Sequence, residues 1–202
     1  MRLSFQPGLQ ISDLINLTPG TPISTGRALD ISMNDHTVLG IQTATGDIAY
    51  TRRGDLKVGP TGVLENAEGE LVMGEGGPIS VPAGNLITIS PDGTVFAQIP
   101  TDPEAEAISL GQLMLRDASQ TELVRRTDGL FEPRDAALRG QDFPNGPLAR
   151  SVLPGMLEGS NVNPVATMVK MLDFSRQFEM QLKLVKETQS IDEAGSTMMR
   201  LP

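Results

Sequence analysis

The chain contains no cysteine and no tryptophan, and these absences limit the chemistry it can perform. Without cysteine, disulfides, thiolate nucleophiles and cysteine-based metal sites are excluded. His36 is the only histidine, so a histidine metal cluster is excluded as well. Its polar neighbours predict an exposed turn, the usual place for such residues. Aromatic residues make up 3% of the chain, which leaves few rings for the walls of a sugar-binding cleft.

Positive charge and long apolar runs are also scarce. The chain has 16 Lys and Arg against 25 Asp and Glu, a net charge of -9, which argues against nucleic-acid binding. No apolar run approaches the roughly 18 residues of a membrane span. Met1–Phe5 is too short for a signal peptide and is followed by Pro7–Gly8. We therefore expect that any export proceeds without a cleavable signal peptide.

The acidic residues leave one enzymatic alternative open, an acid hydrolase that uses a carboxylate pair. Most of them, such as Asp47 and Asp92, occupy turn positions, where solvation is the simpler interpretation. The glycine-rich stretch Gly74–Gly77 leads into Pro78 and a strand, whereas a phosphate loop opens a helix and carries Lys–Ser/Thr. We predict no enzyme activity, no catalytic, cofactor or metal site, and no small-molecule substrate.

The abundant turn formers, Gly 21 and Pro 15, favour short strands over long helices in most of the chain. We predict a mainly β fold, with an antiparallel β-sandwich or barrel-like central domain and a long C-terminal α-helix. The predicted regions are an irregular N-terminal segment at 1–26, the β-rich domain at 27–150, and a linker with an amphipathic assembly helix at 151–202. The predicted strands are Ala28–Met33, Val38–Thr43, Ala49–Thr51, Val63–Asn66, Leu71–Met73, Ile79–Val81, Leu86–Ser90, Val95–Ile99, Ile108–Arg116 and Glu122–Arg125.

The helix is predicted to begin at Pro164, with Asn163 as its N-cap, and to reach about Glu187. Apolar residues recur at spacings of three and four over a wide arc, so the helix needs cover from more than one side. No second helix of similar length is predicted to cover it. We therefore predict a subunit whose helix packs against other chains. The expected seam is Val165, Met168, Leu172, Phe178, Leu182 and Val185.

Two adjacent arginines, Arg52 and Arg53, allow two interpretations. They could form a basic contact point for a neighbouring subunit. They could also simply end a strand, with the two side chains on opposite faces and at least one of them solvated. On these residues alone, the strand end is the simpler interpretation.

An ordered set of short segments resembles the flagellar rod and hook proteins of bacteria. Single motifs such as Asp92–Thr94 have little specificity, but the set covers nearly all of residues 27–190 in the family's order. The last two segments resemble the family's C-terminal signature. Arg27–Asp30 and Gly74–Pro78 are most similar to a proximal-rod protein, with a distal-rod protein as the alternative. The segments are Ala49–Gly54, Gly62–Leu64, Gly74–Pro82, Ile89–Val95, Leu110–Leu113, Arg126–Phe131, Leu157–Pro164 and Arg176–Met180.

The resemblance implies a structural subunit of the flagellar basal-body rod, which serves motility. Such a subunit would be exported unfolded through the flagellar type III channel and would assemble in the periplasm. Its partners would be proximal and distal rod proteins, held by heterologous contacts that build a filament. The expected partner-binding residues are Asn161, Asn163, Val165, Met168, Leu172, Arg176, Phe178, Leu182 and Val185.

The chain departs from the family's pattern in two places. Family members usually begin with a long helix that carries an Asn-Asn-Leu-Ala-Asn-type motif and pairs with the C-terminal helix. No such motif stands near Met1, so we expect an N-terminally truncated or atypical form. The usual Asp-Gly-Phe-Phe stretch is replaced by Asn34–Leu39, a change that we expect the strand to survive.

Other assembling proteins remain as alternatives, namely a hook-type flagellar subunit or a secreted β-rich adhesin or coat protein with an oligomerising helix. A trimerising coiled coil would need a sustained heptad seam. Ser175 and Glu179 interrupt the seam that starts at Val165 and Met168.

Overall fold

Short apolar stretches between turns form the strands of this protein. The computed structural model describes residues 15–100, 106–161 and 164–198, with helix side chains as far as residue 188. The strands within these residues are β1 (Pro22–Ser24), β2 (Ile31–Met33), β3 (Thr37–Gln42), β4 (Ile48–Thr51), β5 (Leu56–Val58), β6 (Leu64–Asn66), β7 (Leu71–Gly74), β8 (Gly77–Pro78), β9 (Leu86–Ile89), β10 (Thr94–Gln98), β11 (Ile108–Gln112), β12 (Leu115–Asp117), β13 (Leu123–Arg125), β14 (Phe131–Pro133), β15 (Val152–Pro154) and β16 (Met156–Glu158). One 3-10 turn, Ala136–Leu138, follows β14, and one α-helix, α1, spans Pro164–Met198.

The strands pair antiparallel in four sheets. The largest has the order β13-β14-β4-β3-β7-β6-β5, with β12 also paired to β3 and β8 to β7. A three-stranded sheet has the order β11-β10-β9, and β1-β16 and β15-β2 form two-stranded sheets. The predicted mainly β fold with a C-terminal helix is confirmed. None of the sheets formed by the described residues closes into a barrel.

Strand β3 lies between two hydrophobic clusters because successive side chains of a strand point to opposite faces. Leu39 belongs to the larger cluster, which includes Leu64, Val72 and Val95. Val38 belongs to the second, with Met114, Leu123 and the ring pair Tyr50 and Phe143, whose centroids are 4.6 Å apart and whose planes are tilted by 58°. Both faces of the central strand are therefore buried, as the exposure pattern of β3 also indicates.

Several predicted strands differ from the structure. The run predicted at Ile108–Arg116 is two strands, β11 and β12, which pair with different neighbours. Ile79–Val81 makes only an isolated bridge, Val63 to Ser80, because the flanking prolines lack the amide donors that a strand needs. The strands β1, β5, β8, β14, β15 and β16 were not predicted.

Strands also occur outside the predicted β-rich region, 27–150. The chain divides into two compact units, Met1–Asn161 and Val162–Pro202. The segment expected to be irregular contains β1, and the expected linker contains β15 and β16. Ile23 pairs with Leu157, and Ser32 with Leu153, so these strands belong to the first unit. When two strands pair across such a long stretch of sequence, neither segment carries a local sequence pattern that would predict the pairing. The division into regions at 1–26, 27–150 and 151–202 stays a prediction.

The helix α1 is longer than expected, since it continues past Glu187 to Met198. No proline interrupts it, and residues such as Glu193 and Ala194 are good helix formers. The predicted N-cap, Asn163, lies outside the described residues. Among those residues, α1 is the single α-helix, and no helix is both long enough and apolar enough to cross a membrane.

Arg52 ties the C-terminal strand β16 to the turn between β2 and β3. Its guanidinium donates through Nε to Oε2 of Glu158 at 2.8 Å, and the other Glu158 oxygen accepts from the amide of Gly20. The same guanidinium donates to three backbone carbonyls at 2.6–3.0 Å. These carbonyls are those of Met33, Asp35 and Thr37. One side chain, with only 10% exposure, thus satisfies four acceptors from two segments that lie far apart in the sequence.

Arg116, on β12, is the centre of a second cluster of polar side chains in the first unit. It donates to both carboxylate oxygens of Glu75 and to both of Asp142, at 2.6–2.9 Å. The hydrogen bonds from Arg116 lower the pKa of Glu75. Burial opposes ionisation of Asp142, but the bonds from Arg116 outweigh it and lower that pKa as well. Burial, followed by the nearby Asp142 carboxylate, raises the pKa of the Tyr50 phenol.

We expect the substitution Arg52→Met to lower the free energy of unfolding of the first unit by about 2–4 kcal/mol, because it leaves buried acceptors without donors. Fluorescence of Tyr50, which is the only tyrosine and is fully buried, reports this unfolding in urea. The matched control is Arg134→Met. It breaks an exposed pair with Glu122 and should cost under about 0.5 kcal/mol. Equal losses in the two variants would contradict the role of Arg52.

The Arg116 cluster predicts a dependence of stability on pH. A carboxyl whose pKa is lowered by folding stabilises the protein above its unfolded pKa and loses that contribution as pH falls. The free energy of unfolding should therefore decline as pH falls from about 5 to about 3. The decline should be shallower in Glu75→Gln, which removes one of the titrating groups. Denaturant unfolding followed by circular dichroism at each pH measures both slopes, and identical slopes would refute the prediction.

Candidate assembly surface

The apolar side chains of α1 are exposed along its whole described length. Eleven large hydrophobic residues between positions 165 and 185 have exposed fractions of 46–68%. Isolated apolar residues are common on protein surfaces, but a contiguous set of this extent indicates an interaction surface. The residues are Val165, Met168, Val169, Met171, Leu172, Phe174, Phe178, Met180, Leu182, Leu184 and Val185.

Most of these residues fall on two faces of the helix. Phe178 follows Val165 by 13 residues, which at about 100° per residue places it roughly 220° farther around the axis. We call the two groups the first face and the second face. The first face is Val165, Met168, Val169 and Leu172, and the second face is Met171, Phe174, Phe178, Leu182 and Val185. A single neighbouring helix cannot cover both faces at once.

The first face is short because charged residues replace apolar ones farther along it. Arg176 follows Leu172 by four residues, and Glu179, Lys183 and Glu187 continue at spacings of three or four. Opposite charges at such spacings support a solvated helix face. The second face has no charged residue over its length. It is therefore the better candidate for a continuous apolar contact.

The predicted contact residues consequently fall into separate groups. Val165, Met168, Leu172 and Arg176 share the first face, whereas Phe178, Leu182 and Val185 lie on the second. Asn161 belongs to the first unit, where its amide nitrogen donates to the carbonyl of Thr18 at 3.0 Å. Asn163 lies outside the described residues. That these residues contact a partner stays a prediction.

The first unit has its own cleft, with a volume of about 880 Å³. Its wall includes both arginines at the end of β4. Arg52 is occupied by the contacts described above, and Arg53 is half exposed and paired with Asp55 and Glu68. The hydrogen bonds that Arg53 donates to the Asp55 carboxylate raise the pKa of Arg53. This agrees with the strand-end interpretation, in which one side chain faces solvent. The cleft is lined by Ile15, Thr51–Asp55, Asn66, Glu68, Arg125, Asp128–Phe131 and Leu157–Ser160.

Arg125 differs from the other arginines of this unit. Among the described residues, its guanidinium forms no ion pair, and it is exposed at the cleft. The neighbouring Arg126 pairs with Asp128 and Glu132. Arg125 and Arg126 are adjacent in the sequence, and the sequence alone does not indicate which of them lacks an ion-pair partner. The paired arginines are Arg27, Arg52, Arg53, Arg116, Arg126, Arg134, Arg139 and Arg150.

The motifs that the sequence analysis considered as possible catalytic or ligand sites lie in turns between strands. His36 is exposed in the turn between β2 and β3, and Gly74–Gly77 forms the tight connection between β7 and β8. Asp35, beside His36, has a φ of 45°, which suits this tight turn. No group of metal-ligating side chains occurs among the residues that the structure describes.

Two protein-family models match the chain. Residues 37–97 match the flagellar hook protein FlgE/F/G D1 domain, which here comprises β3 to β10 in large part. Residues 153–198 match the flagellar basal body rod FlgEFG protein C-terminal region, which here includes β16 and α1. The first match lies within residues 27–190, the region that resembles the family in sequence, and the second begins within it and continues to residue 198.

Known relatives extend over most of the chain. The flagellar basal-body rod protein FlgF of Salmonella typhimurium is 43% identical over 180 residues, 88% of this chain and 70% of the relative. FlgF of Escherichia coli is 42% identical over 182 residues, covering 89% and 71%. The rod protein FlgG of Agrobacterium fabrum is 30% identical over 187 residues, covering 88% and 68%. The chain therefore belongs to the flagellar rod and hook protein family and is a structural subunit of the flagellar basal-body rod.

Proposed function

We propose that the chain is built into the rod through the second face of α1, which packs against neighbouring rod subunits. The observation that carries this proposal is the exposure of the second face, on which Phe174 and Phe178 are 68% and 61% exposed. Burying a large apolar side chain is worth about 1.5–3 kcal/mol. Five such residues offer enough free energy to offset the ordering of a helix in the assembly. The first face adds a shorter contact with a second neighbour.

The expected neighbours are other rod proteins, and the contacts are heterologous because a rod grows without closing. We place the subunit in the proximal rod, since identity to FlgF reaches 43%, against 30% to FlgG. Its site of assembly is then the periplasm, reached through the flagellar export channel without a cleavable signal peptide. We also propose that the subunit has no catalytic function. Its polar clusters support this, because Arg52 and Arg116 are engaged in holding the body together.

The substitution Phe178→Asp tests this role. It places a charge in the centre of the second face, so rod assembly should fall by at least about a hundredfold. The matched control Gln177→Asp adds the same charge one residue earlier, off both apolar faces, and should assemble normally. Cells that carry each variant are assayed for swimming and for the subunit in purified basal bodies.

Thermal unfolding of the first unit provides the folding control for both variants, and neither should change it. If the first unit of Phe178→Asp is unfolded, or if that variant assembles normally, the proposed role of the second face is contradicted.

A further inference from the structure

We propose that Asn161 is a positioning residue for rod assembly. Its side chain closes a clamp, which we define as the contacts between residues 18–21 and residues 158–161 of the first unit. The clamp limits the freedom of the segment that leads into α1 and thereby favours assembly. This inference rests on the proposed function, because it takes α1 to carry the contact with neighbouring subunits.

The carboxylate of Glu158 anchors the clamp at the end of β16. One of its oxygens accepts from Nε of Arg52 and the other from the amide of Gly20, each at 2.8 Å. The next residue continues the contact, because the amide of Gly159 donates to the carbonyl of Thr21 at 3.0 Å. The two segments are therefore held together by backbone groups as well as by a largely buried ion pair.

The two backbones approach each other so closely at Gly20 and Gly159 that neither position has room for a side chain. A Cβ at Gly20 would overlap the carbonyl oxygen of Gly159, and a Cβ at Gly159 would lie 2.8 Å from the carbonyl oxygen of Thr21. Glycine is the residue that permits such an approach of backbone to backbone. A methyl group at residue 20 would therefore force the clamp open.

Asn161 is the member of the clamp that lies nearest to α1 in the sequence. Its amide nitrogen donates to the carbonyl of Thr18 at 3.0 Å, and both residues are exposed. The sequence predicted Asn161 as a partner contact, whereas this hydrogen bond engages its amide within its own unit. A single hydrogen bond shifts an equilibrium by about two- to tenfold, which is little for the stability of the whole unit.

The clamp is close enough to α1 in the sequence for its opening to change how widely the helix can move. Only residues 162 and 163 lie between Asn161 and Pro164, the first residue of α1. A binding segment that is held near one place meets its neighbour at a higher effective concentration and loses less freedom on binding. Opening of the clamp lets the helix range more widely and lowers that concentration.

The substitution Asn161→Ala tests the clamp in the isolated full chain. NMR measures the exchange of the amides of Gly20 and Gly159, whose hydrogen bonds span the clamp. We expect both amides to exchange about two- to tenfold faster in the variant. The amide of Gly155, which donates to a carbonyl outside the clamp, should be unchanged, and so should the urea unfolding of the first unit.

Assembly is measured by competition, in cells that express a variant and the unmodified chain together. Mass spectrometry gives the ratio of the two chains in purified basal bodies, relative to their ratio in whole cells. Asn161→Ala should be incorporated about two- to tenfold less than the unmodified chain. Gly20→Ala, which opens the clamp but keeps Asn161, should be reduced at least as much. The matched control is Gly76→Ala, whose added Cβ meets nothing within 4 Å in an exposed turn, and its incorporation should be normal.

The outcomes separate the clamp from the proposed function. Normal incorporation of Asn161→Ala, or of a folded Gly20→Ala, overturns the clamp proposal. Reduced incorporation of Asn161→Ala without faster exchange in the clamp also overturns it, because Asn161 would then contact the partner directly. If Gly20→Ala unfolds the first unit, Asn161→Ala alone decides. All of these results leave the helix proposal standing, whereas normal incorporation of Phe178→Asp would overturn the proposed function itself.

Discussion

An apolar helix surface in water must be covered, and this constraint determines how the protein can work. The helix α1 carries two apolar faces that are exposed along its described length. An isolated helix is only marginally stable in water, since most helical stability in proteins comes from tertiary packing. We propose that the helix depends on neighbouring chains for its stability, so that assembly and ordering of the helix are one event. A structural rod subunit is the kind of protein for which such coupling is useful.

The first unit, in contrast to the helix, is stabilised by contacts between its own residues. Arg52 and Arg116 each hold several acceptors from segments far apart in sequence, and each is largely buried. Arg52 connects β16, the last strand before the helix in the chain, to the turn ahead of the central strand β3. A force transmitted along the chain from α1 therefore reaches the core through a strand fixed by both backbone pairing and an ion pair.

Sequence patterns predicted the strands and the helix that depend on interactions between residues close together in the chain. Turn glycines and alternating apolar residues predicted strands such as β3 and β10, and the spacing of apolar residues predicted α1. The pairing of β1 with β16 was missed because it joins distant segments. The partner of Arg52, Glu158, was missed for the same reason. The apolar residues of α1 were found from sequence, but their division into two faces needs an angular comparison of positions as distant as Val165 and Phe178.

Amide hydrogen exchange, compared between the isolated monomer and assembled basal bodies, tests the central claim most directly. The account predicts that amides of residues 164–188 exchange rapidly in the monomer and slowly in the assembled rod. Amides of the core strands, such as those of β3, should be protected in both states. Strong protection of the helix in a verified monomer would mean that it is already covered within its own chain. That result would contradict the account, as would rapid exchange of the helix in the assembled rod.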